Sequence, residues 1–153
     1  MRIALFGRNP KTPDLPYVEV VMEKLHEEGV AIAIYAPMKE ACAQIRDEEF
    51  PDMRFSVFND EEELDNFDPD FLISLGGDGT ILEATVLIQS KDIPILGINM
   101  GRLGFLANVA KSNIETSLDA LFSGRFQLDF RSLLQARTSC NRIMKPNFAL
   151  NDI

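Results

Sequence analysis

The stretch Phe71–Ala84, FLISLGGDGTILEA, decides the fold. It leads from an apolar segment into Gly-Gly-Asp-Gly at 76–79 and then into a second apolar segment. A short apolar run ended by glycines is typical of a buried strand, and residues 80–90 have helical spacing. Thr80 and Glu83 match a T-x-x-E capping box, which predicts that the helix begins directly after the glycines. The stretch therefore predicts a strand, a glycine-rich turn and a helix in succession.

The same alternation extends along the chain on both sides of this stretch. Other apolar runs of strand length lie at residues 2–7, 30–36, 54–58 and 93–99. Segments with helical spacing lie at residues 17–29 and 38–49, and the acidic run at 59–68 reads as a short solvated helix. Strands that alternate with helices predict βαβ units. We therefore expect an α/β fold, an open parallel sheet with helices on both faces.

The pattern changes after Gly124. Residues 125–139 indicate one long strand with partial alternation, and residues 147–153 indicate a strand that returns beside it. Hairpins of this kind belong to antiparallel sheets and not to βαβ units. We therefore predict an α/β nucleotide-phosphate-binding domain at 1–124 and the opening strands of a β-rich second domain at 125–153. Since the chain stops inside a strand-like run, we expect a truncated piece of a longer protein.

Charge and composition narrow the class of partner. The formal net charge of −9 argues against binding nucleic acid or an anionic membrane by bulk attraction. It leaves open a local phosphate site, because backbone N–H groups bind phosphate without side-chain charge. Cys42 and Cys140 are too far apart in sequence for a C-x-x-C metal site. We expect a cytoplasmic protein with plain thiols and with neither a nucleic-acid nor a membrane partner.

The glycines at 76–79 predict a phosphate site. Ligands of an open parallel sheet bind at the carboxyl ends of its strands, where this turn lies. Glycine lets a ligand approach the backbone, and the N–H groups and dipole of a helix N-terminus favour phosphate. An acid in such a loop needs a cation or a proton to act on. Asp78 would bind Mg²⁺ carried by a nucleotide, accept a proton from an attacking hydroxyl, or merely cap the helix.

A second glycine-rich stretch follows the next predicted strand, with Gly97, Asn99, Gly101 and Gly104. Its spacing matches neither the Walker loop nor the dinucleotide fingerprint. Because both stretches follow strands of one parallel sheet, we expect them side by side on the same edge. Arg8 follows the first strand, so it belongs to that edge too, where a phosphate contact is one interpretation.

At this point the residues resemble a known family, the NAD kinases. The resemblance is carried by GGDGTILEA at 76–84, GINMGRLGFLANV at 97–109, ALNDI at 149–153 and the opening MRIALFGR. The GGDG turn is also found in 6-phosphofructokinases and in diacylglycerol and sphingosine kinases, so it indicates only the superfamily. The stretch Gly97–Leu106 and the pair Asn151–Asp152 are more specific. The resemblance covers the whole chain and implies a phosphofructokinase-like N-terminal domain.

The resemblance implies a reaction and an assembly. NAD kinases transfer the γ-phosphoryl group of ATP, or in some members of polyphosphate, to the 2′-hydroxyl of the adenosine ribose of NAD, which gives NADP. They use a divalent cation, usually Mg²⁺, and form homodimers or homotetramers. An α/β domain is joined to a C-terminal β-rich domain that binds NAD, and the active site lies between them. Because most of that second domain is absent here, we expect this chain to be inactive alone.

The resemblance also implies roles for individual residues. Asp78 would be the catalytic base for the ribose hydroxyl, and the flanking glycines Gly76, Gly77 and Gly79 would face the phosphates. The NAD site would include Gly79, Leu82, Phe105, Asn151 and Asp152, with Asn151 on the adenine and Asp152 on a ribose hydroxyl. No metal ligand is assigned.

Two alternatives stay open at this level. A diacylglycerol- or sphingosine-type lipid kinase shares GGDGT, although the stretch Gly97–Leu106 argues against it. A non-catalytic nucleotide-binding module would use Asp78 only to shape the turn. Even within the kinase hypothesis, an aspartate with a pKa of about 3.9 is a weak base. Asp78 would then orient the hydroxyl more than deprotonate it.

Overall fold

A computed structural model describes residues 1–89, 91–102, 104–135 and 148–150. Six parallel strands form the main sheet. They are β1 (Arg2–Gly7), β2 (Ala31–Tyr35), β3 (Ser56–Phe58), β4 (Phe71–Gly76), β5 (Ile95–Asn99) and β6 (Val109–Ala110). Their order across the sheet is β3-β2-β1-β4-β5-β6. The predicted open parallel sheet is confirmed.

Helices cover both faces of this sheet, as predicted. The α-helices are α1 (Leu15–Glu27), α2 (Lys39–Glu49), α3 (Glu61–Phe67), α4 (Asp78–Ile88) and α5 (Ile114–Phe122). Helices α1, α2 and α5 share one apolar cluster with the sheet, and α3 and α4 share the other. Successive residues of a strand point to opposite faces, so Ile3 and Leu5 of β1 enter the first cluster and Ala4 and Phe6 enter the second. Double-sided burial is why the strands are apolar throughout.

Residues 100–124 contain two elements that the patterns above do not predict, β6 and α5. The signal for α5 is present in the sequence, since Ile114, Leu118 and Leu121 have helical spacing and are all buried. Gly124 follows the helix with a φ of +69°. A left-handed residue just beyond a helix end favours glycine, so Gly124 marks the boundary.

The predicted long strand at 125–139 is wrong for residues 125–133, which have no regular structure. Among the described residues of the predicted strand, only β7 (Leu134–Gln135) is a strand, and it pairs antiparallel with β8 (Phe148–Ala149). A strand needs a neighbouring strand to bond its N–H and C=O groups, and within the described ranges no strand pairs with residues 125–133. The predicted turn and most of the returning strand lie in 136–147 and 151–153, outside the described residues.

The strand order creates a crevice at the carboxyl edge of the sheet. The chain runs from β1 outward through β2 and β3, and then from β4 outward in the opposite direction. The connections that leave β1 and β4 therefore diverge, which opens a crevice where ligands bind in sheets of this kind. Gly7 pairs with Leu75 in register, so Arg8 and the glycine turn both leave the sheet at this crevice.

The packing of α4 on the sheet depends on Gly97. A Cβ built at Gly97 would overlap Ile81 Cδ1 and lie 3.0 Å from Ala107 Cα. We predict that Gly97→Ala lowers the free energy of unfolding by about 1–3 kcal/mol, the usual cost of overpacking. Urea denaturation would measure this change. Ile81→Val removes the overlapping methyl, so Gly97→Ala should cost less in that background; strictly additive losses would contradict the packing explanation.

Candidate functional site

Helix α4 begins at Asp78, two residues earlier than the capping box predicts. Gly77 is its N-cap, and no side chain caps the helix. The T-x-x-E interpretation is therefore wrong. Thr80 packs against Gly76, where a Cβ would overlap its hydroxyl. Glu83 forms an ion pair with the Arg8 guanidinium across the crevice. Both side chains of the expected box therefore have other partners and do not cap the helix.

The glycines of the turn are not all required for the same reason. Gly76 is required by the close approach of Thr80. Among the described residues, no heavy atom lies within 4 Å of a Cβ built on Gly77 or Gly79, and neither glycine has a positive φ. Packing against the described part of the chain therefore does not require glycine at 77 or 79. Open space at both positions, beside the N–H groups of Asp78 and Gly79 at the start of α4, suits a ligand that contacts the backbone.

The Asp78 carboxylate accepts three backbone hydrogen bonds from the second glycine-rich stretch. Phe105 N donates to Oδ2 at 2.9 Å, while Leu106 N and Ala107 N donate to Oδ1 at 3.0 and 2.9 Å. The amides of Ala107, Phe105 and Leu106, in that order of effect, hold the pKa of Asp78 below its usual range. The two stretches therefore lie side by side, as predicted, and Asp78 joins them.

Gly104 makes this contact sterically feasible. A Cβ built there would overlap Asp78 Oδ1 and lie 2.5 Å from Asp78 Cγ. Any side chain at 104 would therefore displace the carboxylate or the loop. The glycine is needed so that the backbone can close over Asp78.

Asn99 is a residue of this site that the sequence reasoning missed. It is the last residue of β5, and only 2% of it is exposed. Its amide group donates to Arg102 O at 2.6 Å and to Ala107 O at 3.3 Å, and its Oδ1 accepts from Gly101 N at 2.7 Å. The available signal was a polar residue at the end of a buried apolar strand, since buried polar groups need partners.

The remaining predicted residues have different surroundings. Leu82 is half-buried on α4. Phe105 is 95% exposed, although its backbone N–H is bound to Asp78. Asn151 and Asp152 lie outside the described residues, so their predicted contacts remain predictions.

The described residues do not form a metal site. In residues 1–89, 91–102, 104–135 and 148–150, no three His, Cys, Asp or Glu side chains are grouped to hold an ion. Cys42 is a free, buried thiol, and burial raises its pKa to about 12, while Cys140 lies outside these ranges. We therefore assign no protein ligand to a cation.

None of the described helices has the length and hydropathy that a membrane crossing requires.

Comparison of the chain with known proteins identifies its family. The family model described as the ATP-NAD kinase N-terminal domain matches residues 4–126. The chain belongs to the NAD kinase family. This membership confirms the resemblance inferred from the two glycine-rich stretches.

Curated NAD kinases resemble the chain over nearly all of its length. The NAD kinase of Cytophaga hutchinsonii is 34% identical over 152 residues, which cover 99% of this chain and 51% of that protein. The NAD kinase of Flavobacterium psychrophilum is 36% identical over 155 residues, with 100% and 51% covered. The chain thus spans about half the length of these relatives.

A solved structure supports the fold. The crystal structure of yeast NADH kinase complexed with NADH superposes with a TM-score of 0.64 at 20% sequence identity. It covers 88% of this chain and 41% of the yeast chain. At this identity the match supports the α/β architecture of the NAD kinase family and carries no residue-level argument.

The hydrogen bonds on Asp78 predict a pH-dependent stability. Because its pKa is lowered in the folded state, ionised Asp78 stabilises the fold above its unfolded pKa of about 3.9, and this contribution is lost as the pH falls through the lower folded value. Asp78→Asn should therefore destabilise the protein at neutral pH. The difference between wild type and variant should shrink below about pH 4. Urea midpoints measured at a series of pH values would check this; a difference that is constant with pH would contradict it.

Proposed function

We propose that the protein of this chain is an NAD kinase, which transfers the γ-phosphoryl group of ATP to the 2′-hydroxyl of the adenosine ribose of NAD and produces NADP. Family membership and relatives named NAD kinase support this activity. One observation carries the proposal at the level of the site. A fixed carboxylate, Asp78, stands at the start of α4 between two open glycines. The family match favours this activity over the lipid-kinase alternative.

The phosphates of the donor bind at the N-terminus of α4 in this proposal. The N–H groups of Asp78 and Gly79, which have no hydrogen-bond partner among the described residues, attract an anion together with the helix dipole, although the chain carries a net charge of −9. The open space at Gly77 and Gly79 supports close approach of the phosphates to the backbone. Arg8, exposed at the same crevice, is a further cation on this side of α4.

Asp78 orients the ribose hydroxyl more than it deprotonates it. Three amides stabilise the ionised carboxylate, and a carboxylate with a lowered pKa is a weak general base. Phosphoryl transfer passes through a loose transition state in which positioning and electrostatics supply most of the catalysis. A carboxylate that accepts the hydroxyl proton as a hydrogen bond directs the oxygen toward the γ-phosphorus of ATP. As the new P–O bond forms, the bond from the γ-phosphorus to the β–γ bridging oxygen breaks, ADP leaves, and the carboxylate takes the hydroxyl proton.

Leu82, Phe105, Asn151 and Asp152 form the NAD side of the proposed site. The exposed ring of Phe105 supports this role, because a large apolar surface beside the proposed catalytic carboxylate is suited to cover a nucleotide. Binding of ATP with Mg²⁺, assembly into homodimers or homotetramers, and a cytoplasmic location belong to the same proposal.

The activity is tested by measuring NADP formation from NAD, ATP and Mg²⁺. The assay runs on residues 1–153 and on the longest form that the gene encodes. We expect NADP from the longest form and none from residues 1–153, since the relatives are about twice as long. Asp78→Asn should lower kcat of the active form by about a hundredfold or more. Activity that survives Asp78→Asn would reject the role of Asp78, and no NADP from any form would reject the function.

A substitution at Gly79 should affect ligand binding without lowering stability. An added Cβ meets no atom of the described residues there, and alanine is favoured over glycine inside a helix by about 0.5–1 kcal/mol. We predict that Gly79→Ala keeps or slightly raises the free energy of unfolding while it raises the KM for substrate about tenfold or more, because the methyl group occupies the ligand's space. Thermal unfolding and steady-state kinetics would measure both effects. An unchanged KM would show that no ligand approaches Gly79.

A further inference from the structure

We propose that Asn99 is a positioning residue of the phosphoryl transfer: through the loop 101–107, which its amide group holds, it fixes the Asp78 carboxylate so that one acceptor site, on Oδ2, is left for the substrate hydroxyl. This inference rests on the function proposed above and names the atom through which Asp78 acts. It makes Asn99 part of the catalytic geometry, although its own side chain is buried and touches no substrate.

The Asp78 carboxylate has one acceptor site that the loop amides do not fill. An ionised carboxylate has two oxygens with about two lone-pair sites each. Oδ1 accepts from Leu106 N and Ala107 N, so both of its sites are filled. Oδ2 accepts from Phe105 N alone among the described residues. One site therefore remains on Oδ2, and a ribose hydroxyl has one proton to donate.

Asn99 holds the loop by side-chain hydrogen bonds to its backbone. Its amide group bonds the backbone near both ends of the loop, at Gly101 and Arg102 on one side and at Ala107 on the other. Ala107 is the shared residue, because its C=O accepts from Asn99 while its N–H donates to Asp78 Oδ1. The orientation of one peptide segment thus links the Asn99 amide to the Asp78 carboxylate.

Gly97 and Gly104 allow the loop to approach β5 and the Asp78 carboxylate closely. Gly97 lies two residues before Asn99 on β5, and a Cβ there would be 3.0 Å from Ala107 Cα. Gly104 leaves the space that the carboxylate occupies. The absence of a side chain at 97 and 104 lets the loop close on both α4 and Asp78, and Asn99 supplies the hydrogen bonds that keep it closed.

Kinetics distinguish a positioning role of Asn99 from a purely structural one. Asn99→Ala removes the bonds to Gly101, Arg102 and Ala107, but it leaves the charge of Asp78 and the N-terminus of α4 in place. Misaligned positioning groups reduce the rate of the chemical step, while the binding of phosphates elsewhere is retained. We expect kcat to fall about tenfold or more and the KM for ATP to stay within about twofold.

Thr85→Val is the matched control. Thr85 is another buried polar residue, and its hydroxyl donates to Ile81 O at 2.9 Å within α4. Valine keeps its shape and removes the hydroxyl, so the variant loses a buried hydrogen bond away from the loop 101–107. It should lose stability and keep kcat.

The experiment combines kinetics with amide hydrogen exchange on the longest form that the gene encodes. Asn99→Ala and Asp78→Asn should each accelerate exchange at Phe105, Leu106 and Ala107, and the double variant should accelerate it no further. Thr85→Val should leave those amides unchanged. A larger loss of kcat in Asn99→Ala than in Thr85→Val, at equal KM for ATP, supports the proposal.

Other outcomes overturn it. Equal kcat losses in Asn99→Ala and Thr85→Val would reduce Asn99 to a stabilising residue, and unchanged exchange at 105–107 would show that its amide does not hold the loop. If the wild type makes no NADP, the proposed function fails and the catalytic role of Asn99 fails with it. The exchange data would then still decide whether Asn99 fixes Asp78 through the loop. A failure of the proposed function can therefore be told apart from a failure of the link between Asn99 and Asp78.

Discussion

The contact between the Asp78 carboxylate and the backbone amides of residues 105–107 is the interaction on which the site depends. It is possible because β4 and β5 are neighbours in the sheet, with Gly76 and Asn99 paired in register at their ends. Two loops that leave adjacent strands at the same level must share one space. A single carboxylate fills that space and turns two separate turns into one rigid unit.

The same contact explains how an acid and a phosphate site share one crevice. A bare carboxylate at the start of α4 would repel the phosphates that the helix dipole attracts. The three amide dipoles of the second loop compensate part of the negative charge of Asp78, and they draw the carboxylate toward that loop. The carboxylate therefore does not cap α4, and the N–H groups of Asp78 and Gly79 stay available to a ligand. Arg8 lies beside α4, where its guanidinium forms an ion pair with Glu83.

Much of this arrangement could be predicted from the sequence, because it follows from strand-length apolar runs and from glycines that end them. The parallel sheet, the strand and turn of GGDG, and the proximity of the two glycine-rich stretches are all of this kind. The start of α4 could not be predicted, since Thr80 packs on Gly76 and Glu83 pairs with Arg8 across the crevice. Asn99 was missed because its partners are backbone groups, whose positions depend on the path of the loop. A regular strand at 125–133 was expected from alternation alone, which does not guarantee a neighbour.

Gly104 has a consequence for how sequences of this fold diverge. Because a Cβ at 104 and the carboxylate at 78 would occupy the same volume, the two positions are mutually exclusive sites for a side chain in this geometry. A lineage that acquired even alanine at 104 would have to reshape the loop or give up the acid. We therefore expect changes at these two positions to be correlated, because a relative that lost Asp78 would be free to fill position 104.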